Sequence, residues 1–154
     1  IDEDFYLAYF KSQIGAGQKL NDLKNIFISV KNEDKKSISE IAKSFIENGY
    51  NLYTTKGTHD FLLKEGISSN LVNKVAEGSP HVVEYIKQNK IDLVINTTEK
   101  KQAIIDSFTI RRTSVDLNIP YYTNLRSAEI LIKSLITLKN KPISVKPIQN
   151  HHSF

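Results

Sequence analysis

The amino-acid sequence predicts an α/β fold, a doubly wound parallel sheet of five strands with helices on both faces. Short apolar runs alternate five times with segments of helical periodicity between residues 26 and 138, and parallel strands need such crossover segments. The chain has 154 residues, 40% of them apolar, which is enough for one core without a disulfide or metal. It contains no cysteine, which excludes a disulfide framework, a thiolate metal site and a cysteine nucleophile. We therefore expect one Rossmann-like, three-layer domain.

The alternation of strands and helices begins after an N-terminal segment of different character. Residues 2–12 predict a short amphipathic helix with an acidic first turn, and the polar stretch 15–24 predicts a linker. The expected division is therefore residues 1–24 as helix and linker, 25–147 as the α/β domain and 148–154 as a tail. The acidic start without Met indicates a piece of a longer protein rather than a signal peptide. No apolar run approaches the ~18 residues that a membrane-spanning helix needs, and we expect a cytoplasmic location.

The first half of the α/β domain begins with a strand typical of a sheet buried on both faces, residues 26–30. Apolar residues at helical spacing over 38–46 predict the helix that follows. The second strand is expected over residues 50–54. Thr58 is predicted to cap a helix that ends at Gly66.

The second half continues the same pattern. We expect, in order, a weak third strand over 67–75, a helix opened by Ser79-Pro80, a fourth strand over 91–96, a helix over 107–117, a fifth strand over 119–123, a last helix opened by Ser127, and a small strand-like piece over 143–145.

Polar side chains follow every predicted strand. The carboxyl ends of parallel strands share one edge of the sheet, where ligands bind in folds of this kind. Thr55, Thr58, Lys74 and Thr98 are therefore expected to converge there, and Gly57 allows close approach of the backbone. Helix N-termini, hydroxyl groups and lysines together suit a phosphate group. Helix capping alone is the alternative explanation for these serines, threonines and asparagines.

Other chemistry is disfavoured by the residues present. Neither a Walker-type motif nor a G-x-G-x-x-G dinucleotide motif occurs, and no nucleophile, base and orienting group can be combined into a catalytic set. No His cluster or Glu-rich cage indicates a metal site. The formal net charge is +4, but the lysines are scattered along the chain, which is typical of a solvated surface rather than of a nucleic-acid interface.

Several motifs carry a resemblance to a known family. They are, in order, Ser29-Val30 followed by Asp34-Lys35, then Gly57-Thr58, Leu71-Val72-Asn73-Lys74-Val75 with Glu77-Gly78, Ile95-Asn96-Thr97-Thr98, and Ile110-Arg111-Arg112. Together they resemble the C-terminal regulatory domain of carbamoyl-phosphate synthase large subunits, which belongs to the methylglyoxal synthase-like group. The resemblance runs from about residue 5 to about residue 147, and residues 5–15 are similar to the helix that ends the preceding catalytic domain.

The resemblance implies a regulatory role without turnover in this part of the chain. In that family the domain binds uridine monophosphate (UMP) as an inhibitor, inosine monophosphate (IMP) as an activator, and ornithine. The positions matching the nucleotide and phosphate site are Lys35, Thr55, Gly57, Thr58, Lys74, Asn96, Thr97 and Thr98. Tyr121 and Thr123 match this domain's part of the ornithine site. No catalytic residue and no metal ligand is implied.

The whole enzyme that the resemblance implies is a glutamine-hydrolysing, ATP-dependent ligase. It makes carbamoyl phosphate for pyrimidine and arginine synthesis, uses ATP with Mg or Mn outside this domain, and works with the remaining large-subunit domains and a glutaminase small subunit. The resemblance also allows self-association through this domain, whereas nucleic-acid and membrane partners are not expected. One residue and one short segment depart from the family pattern. Lys56 replaces a common His, and residues 124–127 read Asn-Leu-Arg-Ser where a Thr and a Gly pair are usual.

Two alternatives belong to other functional classes. A free-standing lyase of the methylglyoxal synthase type, acting on dihydroxyacetone phosphate, shares the fold and the phosphate site. Its acid–base Asp lies in a Gly-Gly-Asp run, and residues 78–81 read Gly-Ser-Pro-His here. A basic nucleic-acid module is the other alternative, and salt-dependent binding of oligonucleotides is its signature.

Overall fold

The computed structural model describes residues 2–97 and 101–151, and it contains one parallel sheet of five strands in the order β3-β2-β1-β4-β5. The predicted fold class is confirmed. The strands are β1 (Asn25–Ser29), β2 (Asn51–Thr54), β3 (Asn70–Leu71), β4 (Leu93–Asn96) and β5 (Tyr121–Tyr122). The helices are α1 (Phe5–Gly15), α2 (Lys35–Glu47), α3 (Lys56–Lys64), α4 (Val82–Lys87), α5 (Lys101–Asp116) and α6 (Leu125–Asn140).

The strands form where they do because their side chains are buried on both faces of the sheet. In β1, Ile26 and Ile28 lie on one face and Phe27 on the other, and all three are fully buried. Successive side chains of a strand point to opposite faces, so a continuous apolar run fits only a strand covered on both sides.

Each face of the sheet has its own core. The first face is covered by α1, α2, α3 and α6, whose buried residues include Phe10, Phe45, Leu62 and Leu131. The second face is covered by α4 and α5, represented by Ile86 and Ile110. Helices before β3 and after β5 therefore lie on one face, and the helices between β3 and β5 lie on the other. This change of face places the crevice between the carboxyl ends of β1 and β4.

Helix starts are the main correction to the sequence predictions. Thr58 does not cap α3, because the helix begins at Lys56 with Thr55 at the N-cap position. The predicted start at Ser79-Pro80 is also wrong, because α4 begins at Val82. The Glu84 carboxylate accepts from the backbone N–H of His81 at 2.7 Å and from the Ser79 hydroxyl at 2.9 Å, which fixes the later start.

Carboxylate and amide caps explain two further shifts. The first helix spans Phe5–Gly15 rather than 2–12, because Asp4 accepts from the backbone N–H groups of Tyr6 and Leu7. The last helix begins at Leu125 rather than Ser127, since the Asn124 side chain accepts from the Ser127 N–H at 2.9 Å. Both caps are short polar side chains of the type that favours N-cap positions.

The strands are shorter than predicted at the sheet's edges. The third strand is limited to Asn70–Leu71, and the fifth to Tyr121–Tyr122. The strand-like piece at 143–145 is not a strand. It passes α1 instead, and the Lys11 ammonium donates to the Ser144 carbonyl at 2.6 Å. The predicted linker also contains a core residue, because Leu20 is only 2% exposed.

Ion pairs hold the two ends of the described chain together. Lys141 contacts Asp4 at 3.1 Å and Lys146 contacts Glu3 at 3.3 Å. Within the N-terminal segment, Lys11 contacts Asp2 at 2.6 Å while it also donates to the Ser144 carbonyl. The hydrogen bond from Lys11 lowers the pKa of Asp2, and that from Lys141 lowers the pKa of Asp4. These carboxylates stabilise the folded state only while they are ionised.

We expect acid to weaken the ion pairs that Asp2 and Asp4 form. Both pKa values are lower in the folded state, so the contribution is present above the ordinary Asp value of about 4 and is lost as the pH falls through the folded values. Denaturant unfolding measured from pH 6 to pH 2.5 should therefore show that the unmodified chain loses stability in acid. The loss should be smaller in Lys11→Gln, because the charge that lowers the pKa of Asp2 has been removed. Lys43→Gln is the control, because Lys43 is an exposed helix residue whose nearest carboxylate, in Glu47, is 3.9 Å away. Equal acid sensitivity in Lys11→Gln and the unmodified chain would contradict the expectation.

Within the described residues, no helix is long and apolar enough to cross a bilayer.

Candidate functional site

The N-terminus of α3, which follows β2, lies beside the carboxyl end of β1 and thus on the β2 side of the crevice. Thr55 occupies the N-cap position, yet its side chain makes no capping hydrogen bond. Its hydroxyl lies 3.1 Å from the hydroxyl of Ser29, the last residue of β1. Capping therefore does not explain the Thr55 hydroxyl. The backbone N–H groups at the start of a helix and its positive dipole end favour an anion.

Thr58 lies one turn into α3 and is buried, with 1% of its surface exposed. Its hydroxyl oxygen accepts from the backbone N–H of Val30 at 3.2 Å. A hydroxyl has one donor hydrogen besides its acceptor lone pairs. Among the described residues, no acceptor for the Thr58 hydroxyl hydrogen is found.

Lys35 brings a positive charge to the same place. Its ammonium nitrogen lies 3.6 Å from the point that a Cβ on Gly57 would occupy. Lys35 is the first residue of α2, and Gly57 lies in the first turn of α3. The sequence-predicted residues Lys35, Thr55, Gly57 and Thr58 thus lie at two neighbouring helix starts, and we call this group the phosphate cup after the ligand that the sequence predicts for it.

The carboxyl end of β4 adjoins the cup. Thr97 is buried, its backbone N–H donates to the Ser29 carbonyl at 3.0 Å, and its hydroxyl accepts from the Lys31 N–H at 3.0 Å. Asn96 is also buried, and its amide nitrogen donates to the Ser107 hydroxyl at 2.9 Å and the Tyr121 hydroxyl at 2.8 Å. Asn96 and Thr97 therefore lie between the cup and the β5 side of the crevice.

A cavity of about 530 Å³ opens on that β5 side. Charged, polar, aromatic and aliphatic residues from four segments of the chain line it: Lys31, Asp34, Asn96, Thr97, Ser107, Phe108, Arg111, Tyr121, Thr123, Asn124 and Leu125. Its size falls within the usual range for small-molecule sites. We call it the β5 cavity.

Both residues predicted for ornithine line the β5 cavity. Thr123 is exposed, whereas Tyr121 is half-buried. Burial raises the pKa of the Tyr121 phenol, and hydrogen bonds from Asn96 and Ser107 oppose that rise. The phenol is consequently protonated at neutral pH and can donate a hydrogen bond into the cavity.

Lys74 and Thr98, the two remaining predicted site residues, are not part of the cup. Lys74 follows β3 and is exposed, with its backbone N–H donating to the Glu77 carboxylate at 2.7 Å. Because β3 pairs with β2 through Thr54 and Leu71, Lys74 lies at the same edge of the sheet as the cup. Thr98 lies outside the described residues, so its predicted role stays a prediction.

Two residues beside the predicted site residues were not assigned to the site from the sequence, although Ser29 belongs to one of the family motifs. Ser29 contacts Thr55, and Ser107 accepts from Asn96. Ser29 could have been found as the last residue of a buried strand. The sequence places Ser107 only at the start of a predicted helix. Its contact with Asn96 depends on how α5 packs against β4 and β5, which the sequence pattern does not show. In the described part of the chain, no group of three or more His, Asp or Glu residues is arranged to hold a metal ion.

Fold and site together define an α/β domain with polar residues at the carboxyl ends of its parallel strands, and comparison with known proteins gives its family. Residues 37–123 match the MGS-like domain. The chain belongs to the MGS-like domain family.

Curated relatives match over nearly the whole chain. It is 43% identical over 148 residues to the carbamoyl phosphate synthase large chain of Myxococcus xanthus, covering 96% of this chain and 14% of that one. It is 41% identical over 154 residues to the C-terminal section of the large chain of Aquifex aeolicus, with 97% and 29% covered. The chain thus spans only 14% to 29% of the length of these two relatives. The resemblance noted from the motifs is confirmed.

A solved structure supports the fold alone. The crystal structure of ForH superposes with a TM-score of 0.58 at 14% sequence identity, covering 82% of this chain and 84% of that one.

Proposed function

We propose that this domain is the regulatory end of a glutamine-hydrolysing carbamoyl phosphate synthase large chain and binds nucleotide monophosphates. UMP is the proposed inhibitor and IMP the proposed activator. The phosphate cup carries the proposal, because it places the Lys35 ammonium beside Gly57 in the first turn of α3, the turn that follows Thr55 and contains Thr58. Donors and one lysine arranged in this way suit a phosphate dianion.

The β5 cavity has a second role in this proposal. Tyr121 and Thr123 contribute to an ornithine site that other domains of the large chain complete. The domain has no turnover of its own, and ATP with Mg or Mn serves the catalytic domains. Its partners are those domains and the glutaminase small subunit, in the cytoplasm. The similarity to large chains across nearly the whole sequence supports these assignments.

Calorimetric titration of the chain with UMP and IMP tests the proposal. Heat with a 1:1 stoichiometry is the expected result. Uridine and inosine, the matching nucleosides without the phosphate, should bind far more weakly because the cup contributes most of the affinity. No binding of either monophosphate at millimolar concentration would overturn the proposal, and release of phosphate from dihydroxyacetone phosphate would support a lyase instead.

Lys74 gives a sharper expectation. Lys74→Ala should weaken nucleotide binding by about 1.5–3 kcal/mol, or roughly 10- to 150-fold in Kd, as is typical of a hydrogen bond to a charged group. The matched control is Lys43→Ala, which removes an exposed lysine near the far end of α2. An unchanged Kd in Lys74→Ala would assign Lys74 to the solvated surface.

A further inference from the structure

Helix α5 is apolar on two opposite sides. Its inner side packs into the core of the second face through Ile110. Its outer side carries Ile105, Phe108 and Val115, whose exposed fractions are 61%, 65% and 65%. A helix that covers a sheet normally presents polar residues to water, and a group of exposed apolar side chains on one surface marks an interaction site. The outer side of α5 is therefore a candidate interaction surface.

The exposed residues lie along one line of the helix. Ile105, Phe108, Arg112 and Val115 follow one another at intervals of three, four and three residues. Paired helices use this repeat to keep their contact residues on one side. The four residues span about 15 Å along the helix axis, at 1.5 Å per residue. We call them the outer stripe.

The outer stripe is complementary to itself. When two copies of α5 lie antiparallel about a two-fold axis, Ile105 of each copy faces Val115 of the other, and Phe108 faces Arg112. Because the axis is two-fold, each contact occurs twice. The apolar pairs bury each other at both ends of the contact, and in the middle each guanidinium meets the face of a phenyl ring, which is a favourable cation–π arrangement. A parallel pair would instead bring Arg112 against Arg112.

The surroundings of the stripe fit the same arrangement. The Arg112 side chain lies 4.0 Å from the Asp116 carboxylate of its own helix, so its charge keeps an opposite charge nearby when water leaves the stripe. Beside both residues is a cavity of about 340 Å³, which Phe108 and Leu117 also line. This cavity offers room for the Phe108 ring of the second copy.

We propose that two copies of this chain associate through the outer stripe as an antiparallel helix pair. The proposal does not depend on the proposed function, because none of the four residues belongs to the phosphate cup. A single pair of helices lies at the small end of specific interfaces, below about 1,200 Å², so the dimer is weak, with a Kd on the order of 100 μM.

Sedimentation equilibrium of the unmodified chain, from about 10 μM to about 1 mM, should show a monomer that converts to a dimer. Phe108→Lys places a second cation opposite Arg112 and should weaken the dimer at least about tenfold. Leu63→Lys is the matched control, because it changes an exposed leucine on α3, which covers the other face of the sheet. Both positions are exposed, so urea unfolding should give the same midpoint for the two variants.

A charge swap tests which residues face each other. Arg112→Glu alone should also weaken the dimer, because it sets a carboxylate against the face of the Phe108 ring. Mixing the Arg112→Glu chain with the Phe108→Lys chain should restore the association. In that mixed dimer the new lysine faces the new glutamate, and the second layer keeps its original phenyl–guanidinium contact.

Cross-linking tests the direction of the two helices. The chain has no cysteine, so Ile105→Cys and Val115→Cys each introduce a single thiol. A mixture of the two variants should form a disulfide-linked dimer on oxidation, because the two positions face each other. Neither variant should do so alone, since in an antiparallel pair the two copies of one position lie about 15 Å apart along the axis.

Three results would overturn the proposal. A chain that stays monomeric at about 1 mM would leave the stripe to another part of a longer chain or to another protein. A dimer that Phe108→Lys weakens no more than Leu63→Lys would place the contact elsewhere on the surface. Cross-links in the single cysteine variants, but not in their mixture, would indicate a parallel pair.

Discussion

Thr58→Val is expected to weaken binding of UMP at least about tenfold, because the proposed function assigns the hydrogen of the Thr58 hydroxyl to a phosphate oxygen and valine has no such donor. The same change leaves the buried Val30 N–H without its acceptor, 3.2 Å away in the unmodified chain. An unsatisfied buried donor costs about 1–3 kcal/mol, so the free energy of unfolding should fall by that amount. Calorimetry and urea unfolding measure the two effects separately.

Thr58→Ser separates the role of the hydroxyl from that of the methyl group. It should recover most of the nucleotide affinity, because the hydroxyl is retained. Thr137→Val on α6 is the control for loss of a hydroxyl elsewhere, since its hydroxyl donates only to the Lys133 carbonyl of its own helix. If Thr58→Val binds UMP as tightly as the unmodified chain, Thr58 stabilises the fold alone and is not part of a phosphate site.

Phe27→Ala should have the largest effect on stability. Phe27 is fully buried in β1, the central strand, and packs in the core of the second face. Removing a buried phenyl ring costs about 3–5 kcal/mol, because the transfer free energy is lost and a cavity is left. Urea unfolding should show a lower midpoint with an unchanged slope.

The exposed residue Leu63 provides the matching control. It is 59% exposed on α3, and Leu63→Ala should change the free energy of unfolding by no more than about 0.5 kcal/mol. A loss below about 1 kcal/mol in Phe27→Ala would mean that the second core relaxes around the space left by the ring.

Much of the architecture could be predicted because burial of strands and helices in the core produces recognisable patterns of apolar residues in the sequence. The apolar run of β1 and the helical spacing in α2 were sufficient to place both elements. Helix starts were harder, because side chains such as Asp4 and Glu84 determine them through single hydrogen bonds. Several polar residues near a helix start compete for that role, and a pattern does not show which one succeeds.

The site was predictable only in part, for a related reason. Thr55 and Thr58 could be placed at one edge of the sheet from the order of the elements, and Lys35 was placed by family resemblance. The contact between Asn96 and Tyr121 could not be predicted, because it depends on β4 and β5 being neighbours and on the register that pairs Val94 with Tyr121. Neither the neighbour of a strand nor its register is encoded locally.

The packing of α1 has a mechanical consequence. Phe10 of this helix is fully buried in the first core, which it shares with Leu131 of α6, and α6 begins at Leu125 in the wall of the β5 cavity. A pull on the chain ahead of α1 cannot displace that helix without either exposing Phe10 to water or moving α6 with it. The second course moves Leu125, so the packing of α1 is mechanically linked to the wall of the β5 cavity.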